Sequence, residues 1–161
     1  MDSQLMNNDK KFLREAVEIA ITGIKEGGGP FGAVIVNEGA IIAGSYNKVV
    51  LSGDPTAHAE ILVIREAANL LKTYDLSSCV LYTTCEPCPM CLGAIYWSGI
   101  GRVVYASDRH DAEAVGFNDN RIYSEIPLDP SQRRVIFERL DDPAAKSVFK
   151  LWDQYENKIR Y

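Results

Sequence analysis

Two short segments constrain what this chain can fold into more than anything else in it: His58-Ala59-Glu60 and, thirty residues on, Pro87-Cys88-Pro89-Met90-Cys91. Each stands where a helix should begin, after a turn or a strand-like run. Cys88 and Cys91 are three residues apart, so on a helix they share a face and can grip one ion. The partial positive charge of a helix N-terminus favours the thiolate that binds metal. His58 offers a neutral imidazole as third ligand, so the fold must bring two helix starts to one point. Three protein ligands with a fourth position open to water are the pattern of catalytic rather than structural zinc. Glu60 lies about 200° around an ideal helix from His58, off that residue's place on the ion. It can still reach the water, which makes it the natural general base and then general acid.

Cys85 also forms a C-x-x-C with Cys88, so the alternative is a closed Cys3His structural site. Two points weigh against it. Cys85 precedes Pro87 at the end of a strand-like run, off the Cys88/Cys91 face, and a closed site leaves Glu60 without a role. Cys85 therefore reads as a small buried thiol and Cys79 as a core residue of its strand. With three of four cysteines inside seven residues, the cluster points to metal before disulfide. Glu86 reads as a helix-opening residue, and His110, in a polar stretch, as an exposed side chain.

Around this constellation the pattern is α/β. Apolar residues at Leu13, Val17, Ala20 and Ile24 predict a helix over 9–26, with Asp9 as N-cap and Gly27-Gly28-Gly29-Pro30 as its stop. Runs at 33–36 and 40–43, separated by Asn37-Glu38-Gly39, predict a hairpin. Asp54-Pro55-Thr56 reads as the opening of a helix to Leu71. Strands are expected at 79–84, 102–106 and 135–140, with helices at 87–97 and 143–158. Alternating strands and helices imply one sheet, here of five strands, with helices on both faces. Residues 106–135 have poor periodicity and read as a long functional loop with short helix.

The 161 residues suffice for a single domain spanning 1–161, and 47% hydrophobic content allows a sizeable core. A net charge of −5 argues against a general nucleic-acid binder. The polar N-terminus lacks the apolar stretch of a secretory signal, and no apolar run approaches 18 residues, so no membrane span is expected and the cytoplasm is the default compartment.

The combination H-x-E with P-C-x-x-C matches the signature of zinc nucleobase deaminases. Gly28-Gly29-Pro30-Phe31-Gly32-Ala33-Val34, Asp54-Pro55-Thr56-Ala57-His58-Ala59-Glu60, Cys85 to Trp97 and Val115-Gly116-Phe117-Asn118-Asp119 together resemble the bacterial guanine deaminases of the cytidine-deaminase-like superfamily. The likeness runs in register from Phe12 onward to the terminal Tyr161. It implies a three-layer α/β/α sandwich with a mixed sheet, a Zn2+ cofactor, and hydrolysis of guanine to xanthine and ammonia in purine breakdown or salvage. It further implies that Phe31 stacks on the purine, that Asn47 reads its polar edge, and that Ala59 and Trp97 help line the pocket. Asp119 would assist proton transfer. The C-terminal segment, about 142–161, would close the site through Tyr161, in the family across a homodimer. Asn118 departs from the pattern, which has an acidic residue there.

An aromatic face and an amide that donates and accepts suit a planar base independently of the family. The same residues also suit a core and a turn. Three rival functions share the zinc motif or dispense with it: a tRNA adenosine deaminase, a deaminase of guanosine, cytosine or another amino-heterocycle, and a non-catalytic zinc-stabilised interaction domain. The acidic composition and the weakly basic end, Glu156 to Tyr161, disfavour the first.

Overall fold

In the strand β1, Gly32–Asn37, apolar side chains run without break from Ala33 to Val36, and both of its faces are covered. β1 turns through Glu38 and Gly39, both at positive φ (49° and 78°), into the antiparallel strand β2, Ala40–Tyr46. A two-residue loop with two positive φ angles is the turn whose twist matches that of the strands it joins. On its other edge β1 pairs antiparallel with β3, Cys79–Cys85, and β3 pairs in parallel with β4, Arg102–Ser107. The order is β2-β1-β3-β4, a mixed sheet. The computed structural model describes residues 3–160.

The period of two in β1 divides the core. Val34 and Val36, with Tyr82 of β3, pack on Phe12 and Ala16 of helix α1, Ser3–Lys25. Ala33 and Ile35, with Leu81, pack on Ala59, Val63 and Ala67 of α3, Ala59–Leu71, and on Ile95 of α4, Pro89–Trp97. The result is the expected α/β/α layering. At Gly32 the α1 backbone comes so close that a Cβ would lie 2.2 Å from the carbonyl oxygen of Ala16. Helix α4 is the crossover that parallel pairing of β3 and β4 requires.

Several expectations are corrected. The sheet has four strands, not five: 135–140 joins no ladder, and Val135 and Ile136 are 64% and 83% exposed. A β-branched run becomes a strand only beside a partner that takes its hydrogen bonds, and this run has none among the described residues. Helix α1 begins at Ser3, not Asp9, and Asp9 is an interior residue rather than a cap. Its carboxylate accepts from the Tyr82 hydroxyl at 2.8 Å and from Arg102 at 3.0 Å. Asp54 opens no helix either. It accepts from the backbone and hydroxyl of Thr56, at 2.8 and 2.7 Å, in a turn that follows a short helix α2, Val49–Ser52, and precedes α3. The 106–135 stretch holds α5, Arg109–Ala114, α6, Asn120–Glu125, and a 3-10 turn, Pro130–Gln132.

The described residues gather into two compact units that divide after Asn120. In the second, the Arg133 guanidinium donates to the carbonyls of Ile126 and Leu128, both at 3.1 Å. Helix α7, Pro143–Gln154, is capped by Asp142, which accepts from the Ala144 N–H at 2.8 Å. No helix among the described residues is long and apolar enough to cross a membrane.

Candidate active site

His58 and Cys88 are the N-cap residues of α3 and α4, both in extended backbone conformation, and neither side chain bonds a free N–H of its helix. Each instead points to a common centre. Cys88 Sγ lies 3.5 Å from His58 Nδ1, Cys91 Sγ 3.6 Å from the same nitrogen, and the two sulfurs are 3.6 Å apart. A tetrahedral zinc with ordinary bond lengths needs S···S edges of about 3.8 Å and S···N edges of about 3.6 Å. The three atoms therefore fit the ion to within a few tenths of an ångström, and the soft, nitrogen-and-sulfur donor set suits it.

Among the described residues this is the cluster able to hold a metal, and Cys85 is outside it. Cys85 ends β3, buried, and its thiol donates to the carbonyl of Asp108 at 3.4 Å. Burial pushes that thiol up to about 11, so it stays protonated and inert. The hydrogen bond between the two sulfurs holds Cys88 well below the usual thiol range and pushes Cys91 up, where burial acts in the same direction. The Cys88 sulfur likewise raises His58, against the opposing effect of burial.

Glu60, in the first turn of α3, is 6% exposed. Its Oε1 accepts from the Thr83 hydroxyl at 3.2 Å, and its Oε2 faces the Cys91 sulfur at 3.5 Å. Burial holds its carboxyl above the usual range, with the negative Cys88 pushing the same way. A carboxylate so placed is poised to take up a proton and release it again. Thr83 is the residue that the sequence reading passed over. Its signal was available, because a hydroxyl on the apolar face of β3, fully buried, must find a partner.

Phe31 is half-buried at the mouth of β1, and Phe117 meets it edge-on at 4.8 Å and 84°. Asn47 is buried. Its backbone N–H donates to the Phe31 carbonyl at 2.9 Å, and its Oδ1 accepts from the Val49 N–H at 3.2 Å, a turn role that still leaves the amide's own N–H groups to be used. Ala59, wholly buried, packs in the core behind His58. Trp97 ends α4, about 12 Å of helix from its start at the ligands, and is 69% exposed. Tyr161 lies outside the described residues. His110 is exposed, as expected.

Glu86 precedes α4 rather than belonging to it, and its carboxylate accepts from the Arg109 N–H at 3.3 Å, holding the start of α5. Five residues past the end of that helix is Asp119, whose Oδ1 is buried without a hydrogen-bond partner. Burial holds its carboxyl above the usual range, and the negative Cys88 and Glu86 add to the effect.

A family model for the cytidine and deoxycytidylate deaminase zinc-binding region matches residues 6–107. The guanine deaminase of Bacillus subtilis is 48% identical over 155 residues, covering 96% of this chain and 99% of that protein. The X-ray structure of guanine deaminase from that organism superposes with a TM-score of 0.92 at 46% identity, over 100% of this chain and 99% of the other. The tRNA-specific adenosine deaminase of Haemophilus influenzae is 40% identical over 109 residues, 67% of this chain and 63% of that protein. The matched region contains both helix starts and the centre they share, and the chain belongs to the cytidine and deoxycytidylate deaminase family of zinc-binding enzymes.

Proposed function

We propose that this enzyme hydrolyses guanine to xanthine and ammonia. The observation that carries the substrate is the extent of the likeness. It runs to 99% of the length of the B. subtilis guanine deaminase but to only 63% of that of the tRNA enzyme. In the reaction the bond from a ring carbon to its exocyclic nitrogen breaks and a bond from that carbon to a water oxygen forms. His58, Cys88 and Cys91 would hold the zinc, which when bound supplies the Lewis acidity that makes water a nucleophile at neutral pH. Glu60 takes a proton from the attacking water and passes it to the adjacent ring nitrogen, and the second water proton reaches the exocyclic nitrogen, which leaves as ammonia while the carbonyl forms. Its burial keeps competing solvent away, and the Thr83 hydroxyl fixes which oxygen faces the reaction.

Around that centre we assign Phe31 to the face of the base and Asn47 to its polar edge; Ala59, which packs in the core, and Trp97, at the far end of α4, are assigned as lining on the resemblance alone. Asp119 serves as a second proton carrier, its raised affinity for a proton suiting it to a neutral base. On the resemblance alone, we assign closure of the site to residues 142–161 with Tyr161. A homodimer fits the apolar side chains left open on the chain, among them Tyr96 at 79%, Phe149 at 78% and Leu140 at 88% exposure. The free thiols at a zinc site suit the reducing cytoplasm.

The test is ammonia release by purified, zinc-loaded protein from guanine, guanosine, adenine, cytosine and a tRNA substrate. Fast turnover of guanine with the others slow is the expected result. Rapid turnover of another substrate with guanine inert overturns the assignment and leaves the zinc chemistry standing.

A further inference from the structure

Asp119 has neighbours on both sides that share one partner. Glu113, in the last turn of α5, accepts through Oε1 from the Asn118 amide at 3.0 Å and through Oε2 from the Asn120 amide at 2.6 Å. The Asn118 side-chain oxygen in turn accepts from the Asn120 backbone N–H at 3.1 Å. These bonds tie the side chains on either side of Asp119 to one carboxylate and the Asn118 side chain to the Asn120 backbone. The Oδ1 of Asp119 itself is buried and has no hydrogen-bond partner.

The approach to Asp119 is also set. The Phe117 N–H donates to the Ala112 carbonyl at 3.0 Å and the Gly116 N–H to the Glu113 carbonyl at 3.0 Å. Gly116 has φ of 96°, a backbone that a side chain would strain. These paired bonds over a left-handed glycine form the Schellman ending of a helix. α5 therefore terminates in a defined turn, from which Phe117 reaches Phe31 and Asp119 follows two residues later. Asp119 lies beyond that turn, where the grip of Glu113 on both flanking amides restricts it.

We infer that Glu113 is a positioning residue, whose carboxylate fixes the direction of Asp119 by holding Asn118 and Asn120. The inference rests on the proposed role of Asp119. It also gives Asn118 a physical reason: an acidic residue there would face the Glu113 carboxylate without a proton to donate, whereas the amide donates one. Glu113→Gln keeps an acceptor for one amide and sets an N–H against the other. Glu113→Ala releases both.

The test is a double-mutant cycle on guanine turnover, with Glu113→Ala and Asp119→Asn singly and together, and Glu113→Gln as the milder variant. Circular dichroism and zinc content confirm that each variant is folded and loaded. Misplacing a reacting group by about an ångström can cost on the order of a hundredfold, and loosening one end of a loop should cost less, about tenfold. The expected result is a fall of about tenfold in kcat for Glu113→Ala with KM little changed, a smaller fall for Glu113→Gln, and less than about twofold further loss when Glu113→Ala is added to Asp119→Asn. If Asp119→Asn is crippling but Glu113→Ala is harmless, or its cost is the same with or without Asp119, the positioning role is overturned and the role of Asp119 stands. If Asp119→Asn turns over guanine normally, the role of Asp119 fails and this inference fails with it.

Discussion

Replacing Thr83 by valine removes one hydroxyl from a fully buried site and leaves the shape of the side chain unchanged. That hydroxyl donates to Glu60 Oε1 at 3.2 Å. Thr83 is 0% exposed and Glu60 only 6%, so bulk solvent does not make good the lost donor. A hydrogen bond to a charged group contributes about 1.5–3 kcal/mol. At 3.2 Å this one is long for an O–H donor on a carboxylate, so the lower end applies, about 1.5 kcal/mol. The loss falls on the ionised carboxylate, since the protonated form gains less from a donor. Burial already holds Glu60 above its usual range, and the substitution acts in the same direction. Glu60 must be ionised to accept the proton of water, so the acid limb of kcat/KM moves to higher pH. At about 1.4 kcal/mol for each tenfold, the displacement is about one pH unit. Steady-state ammonia release from guanine across pH 5–9 reads it directly. An acid limb that stays where it is, or that moves to lower pH, refutes the assignment of Thr83 as the donor that sustains the Glu60 charge.

Further outcomes follow from the same site and its supporting layer. Glu60→Gln should lower kcat by a factor on the order of 10²–10⁴ while the protein keeps its zinc; turnover within tenfold of the parent would remove Glu60 from proton transfer. Metal-free His58 and Cys91 both hold protons more tightly than usual. Zinc loading must therefore expel protons, and affinity measured by chelator competition should fall between pH 7.5 and pH 6; a pH-independent affinity contradicts this. Asp9 is held below the ordinary carboxyl range, mainly by its hydrogen bond from Arg102. Its contribution to stability is present above the unfolded value near 3.9 and is lost as pH falls through the lower folded value. Because Arg102 is 40% exposed, the contribution is discounted to about 1 kcal/mol. Urea denaturation of Asp9→Asn should show that deficit at pH 6–8 and none well below pH 4, and a deficit that persists in acid would show that packing rather than charge is responsible.

The parts of the fold that were legible in the sequence are those governed by neighbours along the chain. Cys88 and Cys91 share a helix face by their spacing, and Gly39 closes a hairpin by its backbone, so both were readable without knowledge of anything distant. The errors share one cause, a local signal with a non-local meaning. Asp9 has the chemistry of a cap, but its partner is Arg102, ninety-three residues away. Asp54 also has cap chemistry, yet it closes its own turn with Thr56 and leaves the start of the helix to His58. The run at 135–140 has the composition of a strand, and composition does not supply the neighbour that a strand needs. Thr83 was missed for a related reason. A threonine in a strand is ordinary until burial requires that its hydroxyl be satisfied.

Two helices that begin without a side-chain cap carry a cost. An N-cap bond is worth about 1 kcal/mol, and both α3 and α4 forgo it at His58 and Cys88. A bound metal would then tie these two starts, thirty residues apart in sequence, through His58, Cys88 and Cys91. Amide hydrogens in the first turns of α3 and α4 should therefore exchange faster in zinc-stripped protein, while those in β1 and β3 are unchanged. The metal's reach into the fold is read as protection factors at two helix ends, independently of any catalytic turnover.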